Sequence, residues 1–261
     1  MFQDNKLPSR VLLKQVQDDD GCEALVSHWS DAHSGLMPAT FHFADSEFVA
    51  AGEAALFWPA QQALLVADLH LEKASSFAAT GQMLPPYDSR ATLSELAGLV
   101  SRFSATAVWC LGDNFHDDGG EARLETAAAD LLRSLTATFD WRWIVGNHDP
   151  GIGANWGGAV FDEMVVDGIV LRHEAEPTDG QPEMSGHFHP KLRQQLRGRM
   201  VSRRCFVRSK TKLILPAFGA LTGGLDADHD AIAKACGGQQ REALIPAAGR
   251  VLCFPLDALP K

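Results

Sequence analysis

The sequence has no Cys-x-x-Cys pair. Its five cysteines, Cys22, Cys110, Cys205, Cys236 and Cys253, are scattered and odd in number. That argues against a disulfide framework and a thiolate zinc site, and for a reducing, cytoplasmic setting. No apolar run is long enough to span a bilayer, so no membrane partner is expected. The opening residues, Met1 to Lys6, lack a basic segment followed by an apolar one, so no secretory leader is expected. From Ser185 to Leu225 there is no Asp or Glu, although the chain as a whole carries a net charge of −10. That balance argues against a generic nucleic-acid coat protein.

What fills the acid-free stretch is basic: Lys191, Arg193, Arg197, Arg199, Arg203, Arg204, Arg208, Lys210 and Lys212. A basic region on an acidic body fits an anionic ligand bound at one place. A solvated strand face fits it equally well. With 261 residues and 46% hydrophobic content, the chain suits one large α/β domain or two small ones.

Residues 1–39 differ in texture from the rest. They hold the turn-like run Asp18-Asp19-Asp20-Gly21 and no sustained periodicity, and are expected to form a poorly ordered extension. From Thr40 strands are expected: Phe41 to Phe43, Glu47 to Val49, then a hairpin from Ala54–Trp58 through Pro59–Gln62 into Ala63–Ala67. His42 reads as a strand surface residue. Asp88, a possible cap, opens a helix with Leu93, Leu96, Leu99 and Val100 at helical spacing. Thr106 to Leu111 is a buried strand, Glu121 to Phe139 a second helix, and Trp141 to Val145 a third central strand. Strands alternating with helices predict parallel βαβ units. After Pro150 short strands follow at Ala159–Phe161, Met164–Val166, Ile169–Leu171, Cys205–Val207 and Leu213–Leu215, with a helix at Asp228–Lys234. A second, mostly antiparallel sheet is expected there. The fold expected is a two-sheet α/β sandwich in one domain, residues 40–261.

Five polar clusters close or follow these runs: Asp68-x-His70, Gly112-Asp113, Gly146-Asn147-His148-Asp149, His173-Glu174 and Gly186-His187-Phe188-His189. Singly each is weak, since Gly, Asn and Asp also serve strand-to-turn transitions. Together they are oxygen and imidazole donors of the kind that bind Mn, Fe, Zn or Co. Residues i and i+2 of a strand point the same way, so Asp68 with His70, and His187 with His189, can each aim two donors at one locus.

This series resembles the calcineurin-like metallophosphoesterases, whose pattern is Asp-x-His, Gly-Asp-x-x-Asp, Gly-Asn-His-Asp/Glu, His and Gly-His-x-His. The segments Ala67–Lys73, Gly112–Asp117, Gly186–Pro190 and Phe218–Leu225 look like the bacterial DNA-ligase-associated branch. That branch is encoded near a helicase, an exonuclease and an ATP-dependent ligase, and is linked to DNA repair. The resemblance implies an αββα sandwich and two divalent ions, Mn first, with Fe, Zn or Co as alternatives. Asp68, His70 and His189 would hold one ion, and Asn147, His173 and His187 the other, with Asp113 shared. It further implies a phosphodiesterase acting on nucleic acid or nucleotides through a metal-bridging hydroxide. His148 would act on the phosphate, with Asp149 turning or orienting it.

One position departs from the wider pattern. His116 stands where an Asp orients the catalytic imidazole, and Asp117 follows it. Either Asp117 takes that role or His116 contacts substrate. Lys191 and Arg193, just after His189, would reach a bound phosphate, while Arg203, Arg204, Arg208, Lys210 and Lys212 could follow a polyanion. The competing readings are a phosphomonoesterase or cyclic-nucleotide esterase with a small substrate, and a non-catalytic metal-binding scaffold.

Overall fold

The computed structural model describes residues 39–149, 151–152, 154–196 and 198–256. The extension expected over residues 1–39 lies outside the described residues, apart from Ala39.

Seven strands form the first sheet in sequential order: β1 (Ala39–Phe43), β2 (Ser46–Ala50), β3 (Ala55–Trp58), β4 (Ala63–Ala67), β5 (Ala107–Leu111), β6 (Asp140–Ile144) and β7 (Ala159–Phe161). The first four pair antiparallel, and β4 through β7 pair parallel. The period of two divides each central strand between two cores. Leu64 and Val66, Val108 and Cys110, and Trp141 and Trp143 pack against helices. Ala63, Leu65 and Ala67, then Ala107, Trp109 and Leu111, pack against the second sheet. Burial on both faces explains why these strands read as continuous apolar runs.

The parallel crossovers carry α1 (Lys73–Ala79), α2 (Asp88–Phe103), α3 (Gly120–Arg123) and α4 (Thr126–Thr138). Leu93, Leu96 and Val100 of α2, with Ala128, Leu132 and Leu135 of α4, cover the outer face of the sheet. Two expectations fail here. Tyr87, not Asp88, is the cap residue of α2. The buried Asp88 carboxylate accepts the Ala74 amide of α1 instead, at 3.0 Å. The helix expected over Glu121–Phe139 is broken, because Glu125 is extended (φ −60°, ψ 150°).

The second sheet runs β16-β15-β13-β14-β10-β9-β8. Its strands are β8 (Met164–Val166), β9 (Ile169–Leu171), β10 (Glu183–Ser185), β13 (Phe206–Arg208), β14 (Lys212–Ile214), β15 (Glu242–Ala247) and β16 (Arg250–Pro255). A separate hairpin, β11 (Lys191–Leu196) with β12 (Arg199–Arg204), stands apart from both sheets. Helix α5 (Asp230–Ala235) packs Ile232 and Ala235 on Val207, Ile214 and Ala243. The layers are thus helix, sheet, sheet, helix: an αββα sandwich in one domain. No helix among the described residues is long and apolar enough to cross a membrane.

Strand β7, expected in the second sheet, instead extends the first beside β6. The centre of the second sheet is parallel, with β10 between β9 and β14. Sequence reading missed β10 and the β15–β16 pair. β15 contains Pro246, but β13 reaches only Glu242 to Leu244. Pro246 therefore faces no ladder partner on that side, and its missing N–H costs nothing there.

Candidate metal centre

Every cluster lies just beyond a strand's carboxyl end, where ligands of open α/β sheets gather. Asp68 and His70 follow β4, Asp113 follows β5, Asn147 to Asp149 follow β6, His173 follows β9, and His187 and His189 follow β10. None lies on a strand, so the paired-donor argument from strand period does not apply. The pairs converge because the backbone alternates. Asp68 (φ 53°) and His70 (φ 44°) are left-handed about Leu69, and His187 (φ 71°) and His189 (φ 49°) about Phe188. Asp113 (φ 47°) is left-handed too. Each such residue costs on the order of 1–3 kcal/mol, and strain of this kind gathers at functional sites. The loops are locked together by main-chain bonds: Asp68 N–H to the Gly112 carbonyl (3.2 Å) and His70 N–H to the Asp113 carbonyl (2.9 Å). The His187 amide donates to Asp68 Oδ2 at 2.9 Å.

Three glycines make this approach possible. A Cβ on Gly112 would overlap the His173 ring, one on Gly146 the Asp113 amide and Oδ1, and one on Gly186 the Asp68 carboxylate.

The donor atoms fall into two groups. His70 Nε2 lies 3.2 Å from His189 Nε2, and His189 Nε2 lies 3.5 Å from Asp68 Oδ1. On the other side, Asn147 Oδ1 lies 2.9 Å from His173 Nε2 and 3.1 Å from His187 Nδ1, and those two nitrogens are 3.1 Å apart. Asp113 stands between the groups. Its Oδ2 is 3.8 Å from His70 Nε2, and its Oδ1 is 3.4 Å from His173 Nε2.

This arrangement fits divalent cations. Burial, then the neighbouring His189 ring, pulls the His70 imidazole down to about 2. Burial, then His173, also lowers His187. His70 Nε2 faces His189 Nε2, and His173 Nε2 faces His187 Nδ1, so ring nitrogens of each pair converge on one point. Their spacing matches the ~3.0–3.4 Å between adjacent ligands each about 2.1 Å from one ion. The outer nitrogens also have partners, as metal-bound imidazoles require. His173 Nδ1 lies 3.3 Å from the Leu111 carbonyl, and His187 Nε2 lies 3.7 Å from Glu174 Oε1.

His148 is half-buried above this centre. Its Nδ1 lies 2.7 Å from the His116 carbonyl, which makes Nδ1 the protonated nitrogen. Its Nε2 faces inward, 3.9 Å from Asp113 Oδ2. The rings of His148 and His116 stack at 5.4 Å and 25°. The orienting role left open in the sequence thus falls to the His116 main-chain carbonyl. Asp117 points elsewhere, paired with Arg123 at 2.7 Å. Sequence reading missed Arg123, which no motif marks. His116 Nδ1 lies 3.5 Å from His70 Nδ1, so the His116 side chain borders the first donor group.

Asp149 does not orient the His148 ring through its side chain. Its buried carboxylate accepts the amides of Asn114 (2.8 Å), Phe115 (3.1 Å) and Gly146 (3.2 Å). It clamps the loop after β6 to the loop after β5. Burial raises its acid to about 6, against the hydrogen bonds from Phe115 and Asn114.

The basic stretch divides. Lys191, Arg193 and Arg204 bond to the loop over residues 218–224, whose Gly219 amide donates to the Asp68 carbonyl. Arg208 is held by Glu242 and the His42 carbonyl. Lys212 is fully buried, with Nζ 2.9 Å from Glu183 Oε2 and bonded to the carbonyls of Glu176 and Asp179. Those two cations hold the fold and do not line a polyanion path.

The model of the calcineurin-like phosphoesterase family matches residues 62–196. The crystal structure of Pseudomonas putida nuclease MPE is 30% identical, with a TM-score of 0.66, over 83% of this chain and 100% of that one. A protein of unknown function from Aquifex aeolicus is 13% identical, with a TM-score of 0.37, over 49% of this chain and 78% of that one. The E. coli phosphoesterase Yfce is 10% identical, with a TM-score of 0.38, over 74% of this chain and 98% of that one. A search of curated proteins gave no significant match.

Proposed function

Because this chain belongs to the calcineurin-like phosphoesterase family, and is therefore a phosphoester hydrolase, we propose that it is a dinuclear phosphodiesterase that cleaves nucleic acid. The observation that carries the dinuclear reading is Asp113. One of its oxygens faces His70 and the other faces His173, so a single carboxylate serves both donor groups. Asp68, His70 and His189 would hold one ion, and Asn147, His173 and His187 would hold the other. The donor set contains nitrogen and oxygen and no thiolate, which fits Mn and equally Fe, Zn or Co. When bound, the pair of ions supplies Lewis acidity, neutralising phosphate oxygens and lowering the pKa of water at the site.

The chain's own residues supply position and a proton. Hydrolysis adds the oxygen of water to phosphorus and breaks the bond to the leaving oxygen, which then needs one proton. His148 keeps its Nδ1 proton on the His116 carbonyl, so the proton it gives leaves from Nε2, the nitrogen that faces the centre. Asp149 fixes the loop on which His148 stands.

The name of the Pseudomonas putida relative, a nuclease, supports nucleic acid as the substrate over a small phosphate ester. The likeness of Ala67–Lys73 and Phe218–Leu225 to the ligase-associated branch supports a place in DNA repair, beside the ligase, helicase and exonuclease encoded near such proteins.

The test is a Mn titration of the purified chain against single-stranded DNA, an aryl phosphodiester and an aryl phosphomonoester. DNA and diester should be hydrolysed, and a chelator should abolish both reactions. His148→Ala should keep its bound metal while turnover falls ~10²–10⁴-fold. Hydrolysis of the monoester alone would establish a small substrate, and no hydrolysis at all would leave a scaffold.

A further inference from the structure

Among the described residues, four cations near the metal centre make no ion pair with a carboxylate. The first rung of the β11–β12 hairpin pairs Lys191 with Arg204, and Arg193 follows two residues on, on the same face. Lys191 Nζ donates to the Thr222 carbonyl at 3.1 Å. Arg204 Nη2 donates to the Gly219 carbonyl at 2.7 Å, and to Thr222 Oγ1 at 3.4 Å. Arg193 Nη2 donates to the Gly224 carbonyl at 3.2 Å. These acceptors are neutral. They fix the three side chains in place and leave their charge uncompensated.

Lys73, the first residue of α1, adds a fourth charge. Among the described residues its ammonium makes no ion pair or hydrogen bond. It lies 5.9 Å above the Phe77 ring, and that ring sits 5.7 Å from His116. The Asp88 carboxylate, which accepts the Ala74 amide, acts on the Lys73 charge from a distance and makes no ion pair with it. The loop that accepts from Lys191, Arg193 and Arg204 is itself bonded to the centre, with the Gly219 amide on the Asp68 carbonyl at 3.2 Å. Cations pinned on neutral acceptors in this way favour an anion among them.

We propose that Lys73, Lys191, Arg193 and Arg204 form a second phosphate subsite, which holds a phosphate next to the scissile one along a nucleic-acid strand. This rests on the nucleic-acid reading above and sharpens it. The subsite has Lys for point contact and Arg for forked contact with phosphate oxygens. A mononucleotide ester or a small aryl diester has no second phosphate to place there, whereas an oligonucleotide always has one.

The experiment compares kcat/KM for a dinucleoside monophosphate and a trinucleoside diphosphate, with the Mn-loaded full chain. The wild type should favour the substrate with two phosphates roughly tenfold, as one charge-assisted contact allows. That is well above the factor of two from a second cleavable bond. Lys73→Ala and Arg193→Ala should each pull the ratio toward two. Arg199→Ala removes an exposed cation five rungs along the same hairpin, roughly 17 Å away, and should keep the wild-type ratio. A wild-type ratio near two would overturn the subsite and leave the nucleic-acid reading standing. An equal loss in Arg199→Ala would overturn it in favour of a diffuse field. Hydrolysis of an aryl diester with neither nucleotide cleaved would sink the nucleic-acid reading, and the subsite with it.

Discussion

His70 shows what burial does to a single side chain at this centre. It is 4% exposed, and its imidazole is pulled to about 2 by burial and then by His189. The unfolded chain would bind a proton near the usual ~6.5, and the folded metal-free chain does not. The folded value is the lower of the two. The contribution of His70 to stability is therefore full above about pH 6.5 and is lost as pH falls below it. Between pH 7 and pH 5 that loss is about 2 kcal/mol. Urea unfolding of the chelated protein at both pH values should show it, and His70→Asn should show a shallower pH dependence. Equal pH dependence in the two proteins would mean that His70 titrates normally and is not the buried neutral ring described here. Residue identity was the most legible layer of this site. Asp68, His70, Asp113, Asn147, His173, His187 and His189 could be named from spacing and resemblance, and the folded chain brings all seven together. What sits around them was not legible. The carbonyl that orients His148 belongs to the main chain and leaves no mark in the sequence. The three amides on Asp149 are silent for the same reason.

At the level of elements, the loops after β4, β5, β6, β9 and β10 do the positioning, and glycines set how closely they pack. Gly146 lies directly against Asp113, and a Cβ there overlaps both the Asp113 amide and Oδ1. Gly146→Ala must therefore push the shared carboxylate away from one donor group or the other. A displacement of about 1 Å at such a centre is worth on the order of 10²-fold in rate. The variant should lose bound metal and rate together, measured on one sample. Full metal content with full rate would show that the two loops can part without cost. Elements were read well where one signal dominated, as in the double-faced apolar runs of β4, β5 and β6. They were misread where tertiary partners decide. β7 is three residues long and carries no label for the sheet it joins. The helix expected over Glu121–Phe139 has the right periodicity, yet it breaks at Glu125, beside an Arg123 drawn off to Asp117 and Ser75.

For the whole molecule, the αββα layering was legible because helical and strand periods alternate before Pro150 and strands dominate after it. The charge map was only partly legible. Sequence shows nine cations without an acid, but not that Lys212 is sealed inside against Glu183 while Lys191, Arg193 and Arg204 gather beside the centre. Only the fold sorts structural cations from those left without counter-charge. The same fold brings two sheets' worth of loops to one point, and that convergence is the central claim: two donor groups, one shared carboxylate, two ions. The most direct measurement is an anomalous difference map from crystals grown with Mn. It should show two peaks about 3.5–4 Å apart, one among Asp68, His70 and His189 and one among Asn147, His173 and His187, with Asp113 between them. A single peak, or one seated among His70, His116 and His148 instead, would contradict the dinuclear account.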